Sequence, residues 1–114
     1  MTNEKFMAFI EKLLAKTKDK SIMWRRYIPE PDYEYWASPT KSFLCYVGSM
    51  EVRMLSNEDS DKIEFDIIYD RNVPMVILTP DTDETMEVAL RLINYVYDQF
   101  PNFEKSIDQF LMEP

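Results

Sequence analysis

The chain has 114 residues, with 46% hydrophobic, 14% aromatic and 30% charged side chains, a balance suited to one folded domain spanning 1–114 with a real core. It has no histidine and one glycine, which excludes Ser-His-Asp and Cys-His catalysis, imidazole acid–base chemistry, a glycine-rich phosphate cradle and a recognisable zinc set. Net charge is −8: residues 1–53 hold nine Lys/Arg and seven Asp/Glu, whereas residues 54–114 hold four and fourteen. An acidic half of that strength repels phosphate backbones, arguing against nucleic-acid partners; it reads either as self-repulsion that favours solubility or, more sharply, as an acidic face for a basic protein partner.

The first expected element is a helix capped by Asn3, with Phe6, Ile10, Leu13, Leu14 and Thr17 recurring along one face and ending near Lys18 or Asp19. Lysines 16, 18 and 20 gather at its C-terminal end, where cations suit the helix dipole. No leader and no apolar run long enough to span a membrane is evident, and the lone Cys45 suits a reducing compartment; the expectation is a cytoplasmic protein without membrane contact.

Ile22–Tyr27 is short and rich in strand formers, so a first strand is expected there. Ile28–Thr40 differs in character. Pro29, Pro31 and Pro39 block regular helix and central strand, yet Tyr33, Tyr35 and Trp36 are costly to leave wet. A long excursion is expected, with one helical turn over 32–36, its aromatics lying back on the sheet or meeting a partner.

From Ser42 the apolar period becomes two. Strands are expected at Ser42–Val47, Met50–Leu55, Lys62–Tyr69 and Val73–Thr79, separated by Gly48-Ser49, Asn57–Asp61 and Asp70–Asn72. Gly48 opens a two-residue loop of the type II′ kind, which requires positive φ at that position. Phe43, Cys45 and Val47; Met50, Val52 and Met54; Ile63, Phe65, Ile67 and Tyr69; and Met75, Ile77 and Thr79 form the alternating sets. The opposite face carries Leu44, Tyr46, Leu55, Ile68, Val76 and Leu78 among Glu51, Arg53, Glu64 and Asp66. That mixture is too apolar for water alone and too charged for a closed core. A homodimer contact, or cover by the proline-rich segment, accounts for it.

Pro80–Thr85 signals a helix start capped by Asp81 or Thr82, followed by Met86, Ala89, Leu90, Ile93, Val96 and Tyr97 on one face and a Glu87–Arg91 pair on the other. Pro101 ends it, and Phe103, Ile107, Phe110 and Leu111 give a short last helix. The order predicts an α+β fold: an antiparallel meander of four to five strands, an N-terminal helix and two C-terminal helices, with the helices mainly on one face of the sheet.

No residue set points to catalysis, a cofactor or a metal. Cys45 reads as a small buried hydrophobe. The acidic groups at 57–61 and 81–84 lack the calcium-loop pattern and read as a turn and a helix cap. Glu64 and Asp66 share a sheet face without specifying a reaction. The candidate partner-binding residues are Arg25, Tyr27, Tyr33, Tyr35, Trp36, Tyr46 and Arg53, because Tyr, Trp and Arg dominate binding hot spots. Such groups also stack single-stranded bases, but the acidic total opposes that use. The leading expectation is a non-enzymatic interaction or regulatory module. The alternatives are an immunity or anti-restriction inhibitor that mimics nucleic-acid charge, and a small-molecule enzyme or sensor using carboxylates and tyrosines.

In general form, a Phe6-x-x-x-Ile10-x-x-Leu13-Leu14 helix, a Ser21-Ile-Met-Trp24 strand, a meander and a closing helix resemble many small proteins of bacteria and their phages. The resemblance is one of pattern and implies no activity.

Overall fold

The computed structural model describes residues 1–28, 41–56, 62–101 and 103–114. The expected proline-rich excursion beyond Ile28, with Tyr33, Tyr35 and Trp36, and the expected loop at 57–61 lie outside the described residues.

Helix α1 spans Asn3–Lys18. Its cap is Thr2 and not Asn3: the Thr2 hydroxyl accepts from the Lys5 amide at 3.1 Å, and Asn3 already has helical geometry. Phe6, Ile10, Leu13, Leu14 and Thr17 are its buried residues, the stripe expected from their spacing. The helix closes in a Schellman motif, with Lys20 N–H on the Thr17 carbonyl (3.2 Å) and Ser21 N–H on the Lys16 carbonyl (2.9 Å). This turn places Lys20 at φ +67°, a left-handed conformation that costs a residue with a Cβ about 1 kcal/mol. Lys20 is exposed, so relieving its backbone disturbs no packing. Lys20→Gly is therefore expected to raise unfolding free energy by about 0.5–1 kcal/mol in urea titrations, after the entropy that glycine adds to the unfolded chain.

The strand expected over 22–27 contracts to β1, Arg25–Arg26, because Ile22 and Trp24 turn into the core instead of pairing. Trp24 is tied to α1: its indole N–H donates to the Thr17 hydroxyl (2.9 Å), which donates to the Leu13 carbonyl (2.6 Å). Strands β2 (Lys41–Val47), β3 (Met50–Ser56), β4 (Ile63–Ile68) and β5 (Val76–Leu78) complete an antiparallel sheet in the order β1-β2-β3-β4-β5. Gly48 sits at φ +60° in the tight turn between β2 and β3, as its place in a two-residue loop demands. After β4, Asp70 makes an Asx turn, accepting from the Asn72 amide at 2.9 Å.

The last strand is shorter than its apolar run and has the opposite phase. Val76 pairs with Ile67 and Leu78 with Phe65, so Val76 and Leu78 share the core-facing side of the sheet. Ile77 faces the other way, opposite Asp66, and is 51% exposed. A one-residue shift of register reverses every side chain of a strand, and Met75–Leu78 is apolar throughout, so only pairing with β4 decides it.

Helix α2 spans Asp83–Tyr97 and starts with a capping box in which the Thr82 and Thr85 side chains bond each other's backbone amides. Its buried residues are Thr85, Val88, Ala89, Leu92, Ile93 and Val96. The stripe is thus rotated from the expected one. Thr85, Val88 and Leu92 are drawn in because α2 packs against both α1 and the sheet, while Leu90 stays at the surface. Both helices cover the Phe43, Val52, Met54 and Phe65 face, and Phe6 meets Phe65 edge-on at 5.8 Å between ring centres. Helix α3, Phe103–Met112, follows Pro101, and every residue from Glu104 onward is exposed. The fold is α+β, with an antiparallel sheet, an N-terminal helix and two C-terminal helices, as its element order predicts.

The face of the sheet away from α1 and α2 is closed at its centre. Ser42, Glu51, Leu55 and Asp66 are buried there, and exposure returns at its margin.

Candidate functional site

Pairing of β1 with β2 sets Arg25 opposite Leu44, and pairing of β2 with β3 sets Leu44 opposite Arg53 and Tyr46 opposite Glu51. Alternation puts all five on the sheet face that α1 and α2 leave uncovered. Tyr27 joins them as β1 ends, its amide held on the Ser42 carbonyl at 2.9 Å.

The side chains interlock as two cation–aromatic pairs around one carboxylate. The Arg53 guanidinium lies 4.8 Å from the centre of the Tyr27 ring, and its Nη1 donates to the Tyr27 hydroxyl at 3.2 Å. The Arg25 guanidinium lies 5.8 Å from the Tyr46 ring centre. Glu51 links the pairs: it accepts from Arg53 Nε at 2.6 Å and Arg71 Nη2 at 3.1 Å, and the Tyr46 hydroxyl also donates to it. Burial alone raises a carboxyl pKa, but here the hydrogen bonds and charge of Arg53, with those of Arg71 and Tyr46, outweigh it and hold Glu51 below the ordinary carboxylate range.

Of the seven residues singled out by type, the structure brings Arg25, Tyr27, Tyr46 and Arg53 together, while Tyr33, Tyr35 and Trp36 lie outside the described residues. Arg26, the neighbour of Arg25, faces the helix side: it stacks at 5.3 Å on Phe100 and donates to the Pro101 carbonyl. Two members of the group were not among the candidates. Glu51 reads in the sequence only as one charge on this face, and Arg71 reaches it from the turn after β4.

The group's chemistry favours recognition over proton transfer. An ionised carboxylate clamped by two guanidiniums is a weak general acid and a weak base. Tyr46, 54% exposed, and the exposed Arg25 present a stacking surface to solvent, and Arg71 lies outward at the edge. Asp66 and Glu64 do share this face, Asp66 buried opposite Arg53 and Glu64 half-buried opposite Leu55. Cys45 lies in the core on the other side, where burial pushes its thiol up to about 12, far from the reactive range. Among the described residues, no group of three His, Cys, Asp or Glu is placed to hold a metal ion. Among them too, no helix is long and apolar enough to cross a membrane. No protein-family model, curated protein or solved structure matches this chain.

Proposed function

We propose that the protein is a non-enzymatic interaction module that binds a protein partner through the Arg25–Tyr27–Tyr46–Arg53 surface, with Arg71 at its edge. The observation that carries this reading is the convergence of two arginine–tyrosine pairs on one sheet face, with Tyr46 and Arg25 open to solvent. Stacked guanidiniums and phenols offer a partner large, rigid contact area at small entropic cost. The ion pairs to Glu51 fix Arg53 and orient Tyr46 before binding, which lowers the ordering cost of association. The net charge of −8 favours a basic partner through long-range steering, while the arginine–tyrosine pairs supply the contact energy. A cytoplasmic setting belongs to the same proposal, supported by a single buried thiol suited to reducing conditions.

A photo-crosslinking amino acid at Tyr46 tests this in the native host, with the same group at Lys12 on the exposed side of α1 as control. The expected result is a discrete adduct with another protein at Tyr46, absent at Lys12, and weakened by Arg25→Ala and by about 0.5 M salt. No adduct at Tyr46, or the same adducts at both positions, sinks the proposal.

A further inference from the structure

Helix α3 is an amphipathic element whose apolar side is largely exposed. Ile107, Phe110 and Leu111 share one face at i, i+3 and i+4, and they are 41%, 68% and 72% exposed. A helix of ten residues is marginal in water without tertiary packing, so a stripe of this kind requires a surface to lie on. By helical spacing Glu104 and Asp108 run along one edge of the stripe, one turn apart. The helix carries two acidic residues and one lysine, Lys105, with Glu113 just past its end.

A second feature has the reverse character. At the surface between α1 and α2 lies a groove of about 470 Å³ whose apolar lining is Leu14, Leu90 and part of Tyr95. Its rim is basic in balance. The Lys18 ammonium sits 5.7 Å from the centre of the Tyr95 ring, and Lys41 Nζ donates to Asn94 at 3.1 Å beside the groove. Arg91 stands opposite Glu87, the one acidic lining residue, at 3.1 Å. Leu90 is one of the positions at which α2's observed core stripe departs from the expected one: it is apolar and at the surface.

We infer that α3 of one copy of this chain occupies the α1–α2 groove of a second copy, and that the exchange is reciprocal. The apolar stripe of α3 matches the apolar lining, and its acidic edge, Glu104 and Asp108, matches Lys18, Lys41 and Arg91. Among the described residues, α3 does not fill the groove of its own chain but stands exposed beyond the Asp98–Pro101 turn. Reciprocal docking closes a two-fold pair, whereas one-way docking would propagate into open chains. The inference is separate from the arginine–tyrosine surface, which lies across the sheet from both helices.

Sedimentation equilibrium of the full chain from about 1 to 100 μM tests it, with circular dichroism to confirm folding. The wild type is expected to be a dimer that weakens at high salt. Phe110→Glu on the stripe and Leu90→Glu in the groove are both surface changes, so each variant is expected to stay folded and to raise the dimer dissociation constant at least about tenfold. Glu104→Lys with Asp108→Lys weakens the dimer, and adding Lys18→Glu and Arg91→Glu to that variant restores it. A monomer at about 100 μM overturns the inference. So does a dimer abolished by Phe110→Glu but indifferent to Leu90→Glu, which would mean that two α3 helices pair with each other, and so does a dimer indifferent to both.

Discussion

Phe65→Ala is expected to cost about 3–5 kcal/mol of unfolding free energy, the range for deleting a fully buried phenylalanine. Phe65 has no exposed surface and stands in the middle of β4, with Met54 and Leu78 beside it on the neighbouring strands and the Phe6 ring edge-on above it at 5.8 Å. Its removal opens a cavity between sheet and α1 that two rigid layers cannot close. A domain of this size is stable by only about 5–15 kcal/mol, so the loss is a large share of the total. Urea titration should show a midpoint far below wild type with the slope unchanged, and thermal melts a fall of roughly 10–25 °C. The same experiment checks the sheet's register. Ile77→Ala, two strands' width from Met54 on the far face of β5, should cost less than about 1 kcal/mol, because Ile77 is half exposed already. Equal losses at Phe65 and Ile77 would mean that β5 pairs in the other phase.

That contrast also marks where the sequence is readable. Phe6, Ile10, Leu13, Leu14 and Thr17 could be identified in advance because α1 buries one side only, so period and polarity agree. Phe43, Cys45, Val52, Met54 and Phe65 are identifiable from their strand period alone, although Leu55, Glu51 and Asp66 on the opposite face are buried too. Met75–Leu78 offered four apolar residues in a row, and its phase was fixed by β4, a non-local fact. Val88 and Leu92 were missed because α2 is covered from two directions, which widens and turns its buried arc beyond a single stripe. At the candidate site, residue type was enough to pick out Arg25, Tyr27, Tyr46 and Arg53. Their convergence needed the pairing of β1 with β2, set by only two residues of strand. Arg71 carried no local signal, since it meets Glu51 across twenty positions of sequence and only after β3 and β4 have paired.

Glu51→Gln is expected to destabilise the fold by about 2 kcal/mol at neutral pH, and the size of that loss should depend on pH in one direction. Glu51 is buried, and its carboxylate answers Arg53 at 2.6 Å and Arg71 at 3.1 Å. Neutralising it leaves two guanidiniums that keep their charge at every accessible pH. Arg71 can turn to water from its exposed position, but Arg53 is only 22% exposed and also holds Tyr27, so its charge is left poorly answered. The cost therefore falls below the about 3–5 kcal/mol of a fully enclosed broken pair. The folded-state pKa of Glu51 is lowered relative to the unfolded chain, so its contribution is complete above the ordinary carboxylate value of about 4.3 and drains away as pH falls through the folded value. Wild type and Glu51→Gln should then differ by the full amount at pH 7 and converge only as pH falls through the lowered folded-state value, where the wild-type carboxyl is itself protonated. Paired urea titrations across that range measure the difference directly, and other carboxylates cancel because both proteins carry them. A gap that stays constant down to low pH would mean that Glu51 contributes shape and not charge. In that case it would no longer be the group that holds Arg53 and Tyr46 in place on the proposed binding surface.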